Sequence, residues 1–209
     1  MTTKKLFLFD FDGVLVDSLD VYARAIQWCL ERIGTPIVKS KADYLALFED
    51  NFYQALQDRG IDLEAFAKAL ALYTEQAGGD YYGDVRPYPF MPPILDALSR
   101  DHALGIISSN SHAAIEKIFA RHEYNGCFQA ILGADFAFSK KDKILHALEL
   151  FRMERRQAYY IGDTAGDIKE GRMAGVITVA VTWGWHPKEK LAAANPDYLI
   201  DTPQDLLSL

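Results

Sequence analysis

Short apolar runs and longer periodic stretches alternate along this chain. "LFLF" (6–9), "ALGIIS" (103–108), "AYYIG" (158–162) and "VITVAVT" (176–182) are continuous rather than alternating. That is the pattern of strands covered on both faces of a parallel sheet. "AILGA" (130–134) and "YLI" (198–200) are weaker runs of the same kind. Between them lie stretches with helical spacing. "PPILDALSRD" begins on a proline pair suited to a helix start. "SHAAIEKIFARH" puts Ala114, Ile115, Ile118 and Phe119 on one face, and "DKILHALELF" and "GDIKEGRMAG" follow. Alternation of strand and helix over residues 92–209 predicts an α/β fold, a doubly wound parallel sheet.

Residues 17–85 break that rhythm. They are helical in pattern and hold no convincing strand. "DVYARAIQWCLERIG" sets Val21, Ala25, Trp28, Cys29 and Ile33 on one stripe, with Gly34 placed to end the helix. "ADYLALFEDNFYQALQDRG" and "DLEAFAKALALYTEQAGG" each predict a further helix closed by glycine. Gly78-Gly79 and "RPYPFMPP" mark the return to the first rhythm. The expected organisation is an α/β core of residues 1–16 and 86–209 with an inserted all-helical domain of residues 17–85. Hinges are expected near Val16–Ser18 and Gly83–Pro87. The insertion's aromatics, Tyr22, Trp28, Tyr44, Phe48, Phe52 and Tyr53, read as its packing core; the rings of "WGWH" (183–186), after the fifth apolar run, read as packing first and as a border of the site second. His112 reads as an exposed residue early in a helix.

Composition narrows the class. The 209 residues are 50% hydrophobic, enough to bury a sizeable core. A formal charge of -7 argues against nucleic acid or an anionic membrane as partner. It leaves room for a local positive pocket. Cys29 and Cys127 are too few and too isolated for a disulfide framework, so reduced thiols in the cytoplasm are expected. The apolar run after "MTTKK" ends at Asp10, too short for a signal peptide. No stretch approaches the ~18 apolar residues of a membrane span. A soluble, cytoplasmic protein is expected.

The carboxyl ends of strands are where open α/β sheets bind ligands. Here the first run ends in Asp10-Phe11-Asp12-Gly13, the second in Ser108-Ser109-Asn110, and "AYYIG" in Asp163 and Asp167 of "GDTAGD". A loop before a helix holds Ser139-Lys140-Lys141. Crowded carboxylates repel one another unless a cation joins them. Hard oxygen donors suit Mg2+, which also takes a substrate phosphate oxygen. One carboxylate can attack phosphorus, a second can move the leaving oxygen's proton, and lysine and hydroxyl donors can hold the transferring group. With Asp163 capping a helix that begins near Thr164, Asp167 would lie one turn on, aimed at the same ion.

"DFDGVLVDS", "IISSN", "SKKDK" and "YYIGDTAGDI", in this order, resemble the four motifs of the haloacid dehalogenase superfamily of phosphohydrolases. The helical insertion is similar to that superfamily's small cap, and the tail from Val179 resembles phosphoglycolate-phosphatase-like members. The resemblance implies Asp10 as the nucleophile that becomes an aspartyl-phosphate and Asp12 as general acid/base. It implies Mg2+ held by the Asp10 carboxylate, the Asp12 carbonyl and Asp163, with Asp167 bound directly or through water. Ser108, with the N–H groups of Ser109 and Asn110, would bind the phosphoryl oxygens. Lys140 would be the motif lysine, although Lys141 and Lys143 are close and the usual following proline is missing.

The substrate so implied is a small phosphorylated metabolite, phosphoglycolate-like. Val14 stands where many such phosphatases carry threonine. Similar sugar phosphomutases carry a histidine five residues after the position of Asp17; here it is Tyr22, which favours hydrolysis. Phosphonate hydrolases lack the acid present at Asp12. A signalling receiver domain would be shorter, without an insertion. A purely binding role fits poorly with every motif position filled.

Overall fold

The computed structural model describes residues 4–76, 82–122 and 127–209; Gly78-Gly79 lie outside them. The six predicted strands form one parallel sheet. They are β1 (Leu6–Phe9), β4 (Ala103–Ile107), β5 (Ala130–Leu132), β6 (Ala158–Gly162), β7 (Ile177–Val181) and β8 (Tyr198–Ile200). Their order is β5-β4-β1-β6-β7-β8. The chain leaves β1, builds outward through β4 and β5, and returns to the other side of β1 at β6. That reversal beside β1 is the point at which such sheets bind ligands.

The continuous apolar runs have a direct cause. Phe7 and Phe9 of β1 pack on one face with Leu104, Ile106, Tyr159 and Ile161. Leu6 and Leu8 pack on the other with Ala103, Ile107, Ala158 and Tyr160. Helices α5 (Met91–Ser99) and α6 (His112–Arg121) cover the first face. Helix α7 (Lys140–Phe151) and the end of α8 (Ala165–Ala174) cover the second. Helix α9 (Lys188–Ala193) packs Leu191 against Ile168 and Ala180. No polar face is left for alternation to mark.

The insertion holds α1 (Leu19–Arg32), α2 (Lys41–Ala46), α3 (Phe52–Asp58) and α4 (Leu63–Gln76). The single helix expected over "ADYLALFEDNFYQALQDRG" is therefore two. Ser40 caps α2 and Asn51 caps α3, each accepting from a backbone N–H three residues on. The loop between them is held by α8 instead. The Gly166 N–H donates to the Phe48 carbonyl at 3.0 Å, and Lys169 pairs with Asp50 at 2.6 Å. Hydrophobic spacing runs unbroken through this loop and hides the break.

Two strands escaped the sequence reading. β2 (Val16–Asp17) and β3 (Arg86–Pro87) form an antiparallel ribbon where the chain passes into and out of the helical segment. Two residues each carry no periodic signal. The segments expected as hinges are thus paired with one another.

Candidate active site

Asp10 continues β1 beyond its last paired residue, its N–H donating to the Ile161 carbonyl at 2.8 Å. One carboxylate oxygen, Oδ1, accepts from the Phe11 N–H at 2.7 Å. The chain then turns at Gly13, whose φ of +77° lies in the left-handed region that glycine tolerates. The turn also needs the missing side chain, since a Cβ there would stand 2.0 Å from Asp163 Oδ2. Asp12 is buried, with Oδ1 accepting from Ser18 Oγ at 2.8 Å and Oδ2 from Asn110 Nδ2 at 2.7 Å.

The loop after β4 brings Ser108, Ser109 and Asn110 to the same edge. Ser108 is buried, and its Oγ accepts from the Asn110 N–H at 3.0 Å. The cap of α6 is Ser111 rather than any of these three. Asn110 Nδ2 also donates to the Tyr22 hydroxyl at 2.8 Å, which ties the loop to α1.

Ser139 caps α7, so Lys140 is that helix's first residue. Glu170 of α8 accepts the Lys140 N–H at 2.7 Å and the Lys141 N–H at 3.2 Å. Thus held, Lys140 extends its Nζ to 2.6 Å from Asp10 Oδ2 and 2.6 Å from Asp167 Oδ1. Lys141 stays half-buried outside this cluster. Lys143 is fully buried and donates to the Ser108 carbonyl.

At the end of β6 the expected cap moves by one residue. Thr164, not Asp163, caps α8, and Asp167 closes a capping box with it. Asp167 Oδ2 accepts from the Thr164 N–H at 3.1 Å and the Thr164 hydroxyl at 2.6 Å. Its Oδ1 accepts from the Tyr160 hydroxyl at 2.8 Å in addition to Lys140. Asp163 is thereby freed for the site. Its Oδ2 accepts from the Trp185 N–H at 2.6 Å, while its buried Oδ1 has no partner.

One carboxylate oxygen from each of Asp10, Asp163 and Asp167 lies within 4.8 Å of the others. The donor set is all oxygen, which suits a hard divalent cation. The unpartnered Asp163 Oδ1 is the group such an ion would satisfy, so these residues fit Mg2+. The electrostatics agree. Burial pushes Asp10 up to about 7, against the pull of Lys140. Burial, then Asp167 and Asp10, raise Asp163 well above the ordinary carboxylate range. Asp167 is equally buried, but Lys140, Thr164 and Tyr160 hold it below that range. Burial also raises Asp12, to about 6. Desolvation works against a charged Lys140, yet Asp10 and Asp167 keep its ammonium protonated.

A cavity of about 180 Å³ opens from Asp10 and Asp12 toward the helical segment. Tyr22, Tyr44, Phe48, Phe52 and Tyr53 line it, so five of the six aromatics read as packing are also its wall. Trp28 alone of the six stays outside, against Tyr73 at 5.3 Å. Trp185 of "WGWH" lines the cavity and orients Asp163 through its backbone. His186 accepts the Ala165 N–H at Nδ1 and so donates from Nε2 to the Leu45 carbonyl at 3.1 Å. His112 pairs with Glu116 at 3.2 Å on the exposed side of α6. Glu170 had no sequence signal as a site residue, because it acts through contacts distant in sequence, whereas Trp185, Tyr160 and Ser18 stood in singled-out stretches with no role assigned to them.

The family model of haloacid dehalogenase-like hydrolases matches residues 7–181. The chain belongs to this family. It is 31% identical to phosphoglycolate phosphatase of Synechococcus elongatus over 201 residues, covering 96% of this chain and 94% of that protein. It is 28% identical to phosphoglycolate phosphatase of Aquifex aeolicus over 209 residues, covering 98% of this chain and 96% of that protein. Pyrophosphatase PpaX of Listeria innocua is 25% identical over 207 residues, with 97% and 94% covered. Among solved structures, a haloacid dehalogenase-like family hydrolase from Streptococcus pneumoniae superposes with a TM-score of 0.78 at 24% identity. That match covers 100% of this chain and 99% of the other. A predicted phosphatase from Clostridium acetobutylicum reaches 0.82 at 20% identity, with 100% of both chains covered. At these identities the two structures establish the fold alone. For a family member with phosphatase relatives, hydrolysis of phosphoric monoesters is the activity class. Among the described residues no helix is long and apolar enough to cross a membrane.

Proposed function

We propose that this hydrolase is a Mg2+-dependent phosphatase acting on a small phosphorylated metabolite through an aspartyl-phosphate at Asp10. The observation that carries this reading is the buried cluster of Asp10, Asp163, Asp167 and Lys140, with one Asp163 oxygen unpartnered at the sheet edge.

Asp10 attacks phosphorus, and the bond from phosphorus to the ester oxygen breaks. Asp12, held by Ser18 and Asn110, gives its proton to the departing oxygen. It then takes a proton from a water that attacks the aspartyl-phosphate, releasing phosphate and restoring Asp10. The Ser108 hydroxyl, the N–H groups of Ser109 and Asn110, and Lys140 hold the phosphoryl oxygens. Asp10, Asp163 and the Asp12 carbonyl would hold Mg2+, with Asp167 reaching it through water, because both Asp167 oxygens already accept two donors. A bound Mg2+ would neutralise charge on the phosphoryl group and between the carboxylates.

Residues 17–85 act in this reading as a cap over a core of 1–16 and 86–209, closing on the site through the α2–α3 loop. Phosphate monoesters of metabolites are the partners, in the cytoplasm, consistent with the two free cysteines. Relatives at 31% and 28% identity are named phosphoglycolate phosphatase, which makes phosphoglycolate the substrate against which others are compared. The test is phosphate release from p-nitrophenyl phosphate with Mg2+. Activity should vanish in Asp10→Asn and with a chelator; turnover by either sinks the mechanism.

A further inference from the structure

Away from the reacting end the cavity beside Asp10 is mainly apolar, with Thr74 and Tyr82 as polar members of its wall. Ile26, Tyr44, Phe48, Phe52, Phe66 and Leu70 form its far wall. Among the described residues, Lys140 is the one cationic side chain that lines it, and its Nζ is already shared between Asp10 and Asp167. The residues outside the description, 1–3, 77–81 and 123–126, include no lysine, arginine or histidine. They cannot supply a second cation. Lys117 and Arg121 lie on the exposed side of α6 and line an adjoining outward opening, which shares Thr74 and Tyr82 with this cavity. Several polar wall groups are already engaged, Thr74 Oγ1 donating to the Leu70 carbonyl at 2.9 Å. The Tyr53 hydroxyl donates to the Ser109 carbonyl at 2.9 Å, and Tyr22 accepts from Asn110.

A phosphorylated carboxylic acid would set its second anion in this cavity without a counter-ion, near Asp10 and Asp12. Burying an unpaired carboxylate is strongly unfavourable. An uncharged ring or branched chain there gains by leaving water. The cavity of about 180 Å³ includes the reacting end at Asp10, Asp12 and Lys140, so with a phosphoryl group seated there it leaves room for a small alcohol only. We infer that the substrates are phosphate monoesters of small uncharged apolar alcohols, aromatic or branched, rather than phosphorylated carboxylic acids such as phosphoglycolate. The inference rests on the phosphatase reading above and departs from the substrate named for the relatives.

The test compares benzyl phosphate, isobutyl phosphate, propyl phosphate and phosphoglycolate with Mg2+ present. All four have alkoxide leaving groups, so intrinsic reactivity does not decide the order. The expected kcat/KM for benzyl phosphate exceeds that for phosphoglycolate by at least ~100-fold, with propyl phosphate between them. Equal or better turnover of phosphoglycolate overturns the substrate class and leaves the phosphatase reading standing. No turnover of any of the four strikes the phosphatase reading instead. The substrate class is then decided by calorimetry on Asp10→Asn with Mg2+. Tighter binding of benzyl phosphate supports it, and tighter binding of phosphoglycolate overturns it.

Discussion

The Gly166 N–H donates to the Phe48 carbonyl at 3.0 Å, joining the first turn of α8 to the loop between α2 and α3. This contact requires glycine. A Cβ at position 166 would stand 2.4 Å from the Asp50 carbonyl oxygen and 2.9 Å from that of Phe48. Both are backbone atoms, so the whole loop would have to move, and Phe48 lines the cavity beside Asp10.

Gly166→Ala should therefore separate activity from stability. Alanine favours a helix over glycine by about 1 kcal/mol, and the Lys169–Asp50 pair lost with the loop is exposed and worth little. The melting temperature should move by only a few degrees. Displacing a wall of the site by ~1 Å can cost ~100-fold in rate, so kcat/KM should fall between about 10- and 100-fold. Steady-state kinetics beside a thermal melt read both. Unchanged kcat/KM would show that closure of this loop plays no part.

Lys140 and Lys141 are neighbours with opposite expectations. Only Lys140 touches Asp10 and Asp167. Removing one partner from a buried charge cluster costs ~3–5 kcal/mol, so Lys140→Met should markedly lower the melting temperature of the metal-free protein. Adding Mg2+ should recover part of that loss, because a second cation then faces the carboxylates. Activity should fall at least ~100-fold. Lys141→Ala should stay within about threefold of the parent in both measurements. Loss of activity in Lys141→Ala alone would move the motif lysine by one position.

The sheet was legible because its strands are buried on both faces. Runs such as Leu6–Phe9 and Ala158–Gly162 match the strand limits residue for residue. Asp10, Asp12 and Asp163 were legible as candidates because carboxylates close apolar runs there, whereas only the fold brings Lys140, rather than Lys141, to Asp10 and Asp167. The rest depends on contacts distant in sequence. The spacing Thr164-Ala165-Gly166-Asp167 is that of a capping box and marks Thr164, not Asp163, as the cap, but only the fold shows that this choice frees Asp163 Oδ1 and hands Asp163 Oδ2 to the Trp185 N–H. Tyr44 and Phe52 read as core because they are core, 2% and 7% exposed, and only the fold reveals that the same rings bound the cavity. The β2–β3 ribbon is two residues deep and lies below any periodic signal.

Ser18 offers a pH test of Asp12. Its hydroxyl donates to Asp12 Oδ1 at 2.8 Å, a bond that favours the ionised carboxylate. Burial raises Asp12 to about 6, with the bonds from Ser18 and Asn110 and the charge of Lys140 pulling the other way. Ser18→Ala removes one of these opposing influences, so the pKa of Asp12 should rise further. An acid that must be protonated to assist the leaving oxygen stays active to higher pH when its pKa rises. The alkaline limb of the kcat profile for an alkyl phosphate should shift upward, by up to about one pH unit. A profile that is unmoved, or shifted to lower pH, would remove Asp12 from that role.

Metal and proton should compete at Asp10 and Asp163. Burial raises Asp10 from 3.8 to about 7 and raises Asp163 as well, so at and below about pH 7 a divalent cation must displace a proton from Asp10 in a growing share of molecules. Mg2+ affinity should accordingly fall as pH drops below about 7, by up to ~10-fold per pH unit for each proton released. The sign for stability follows from the same shift. Between 3.8 and about 7 the folded metal-free protein binds more protons at Asp10 than the unfolded chain does. Its stability should therefore decline as pH rises through that window, and saturating Mg2+ should reverse the decline. Calorimetric titration in two buffers of different ionisation enthalpy measures the released protons, and melts at several pH values with and without Mg2+ measure the stability. Affinity independent of pH between about 6 and 8, with no proton release, would mean that these carboxyls are already ionised before the metal arrives.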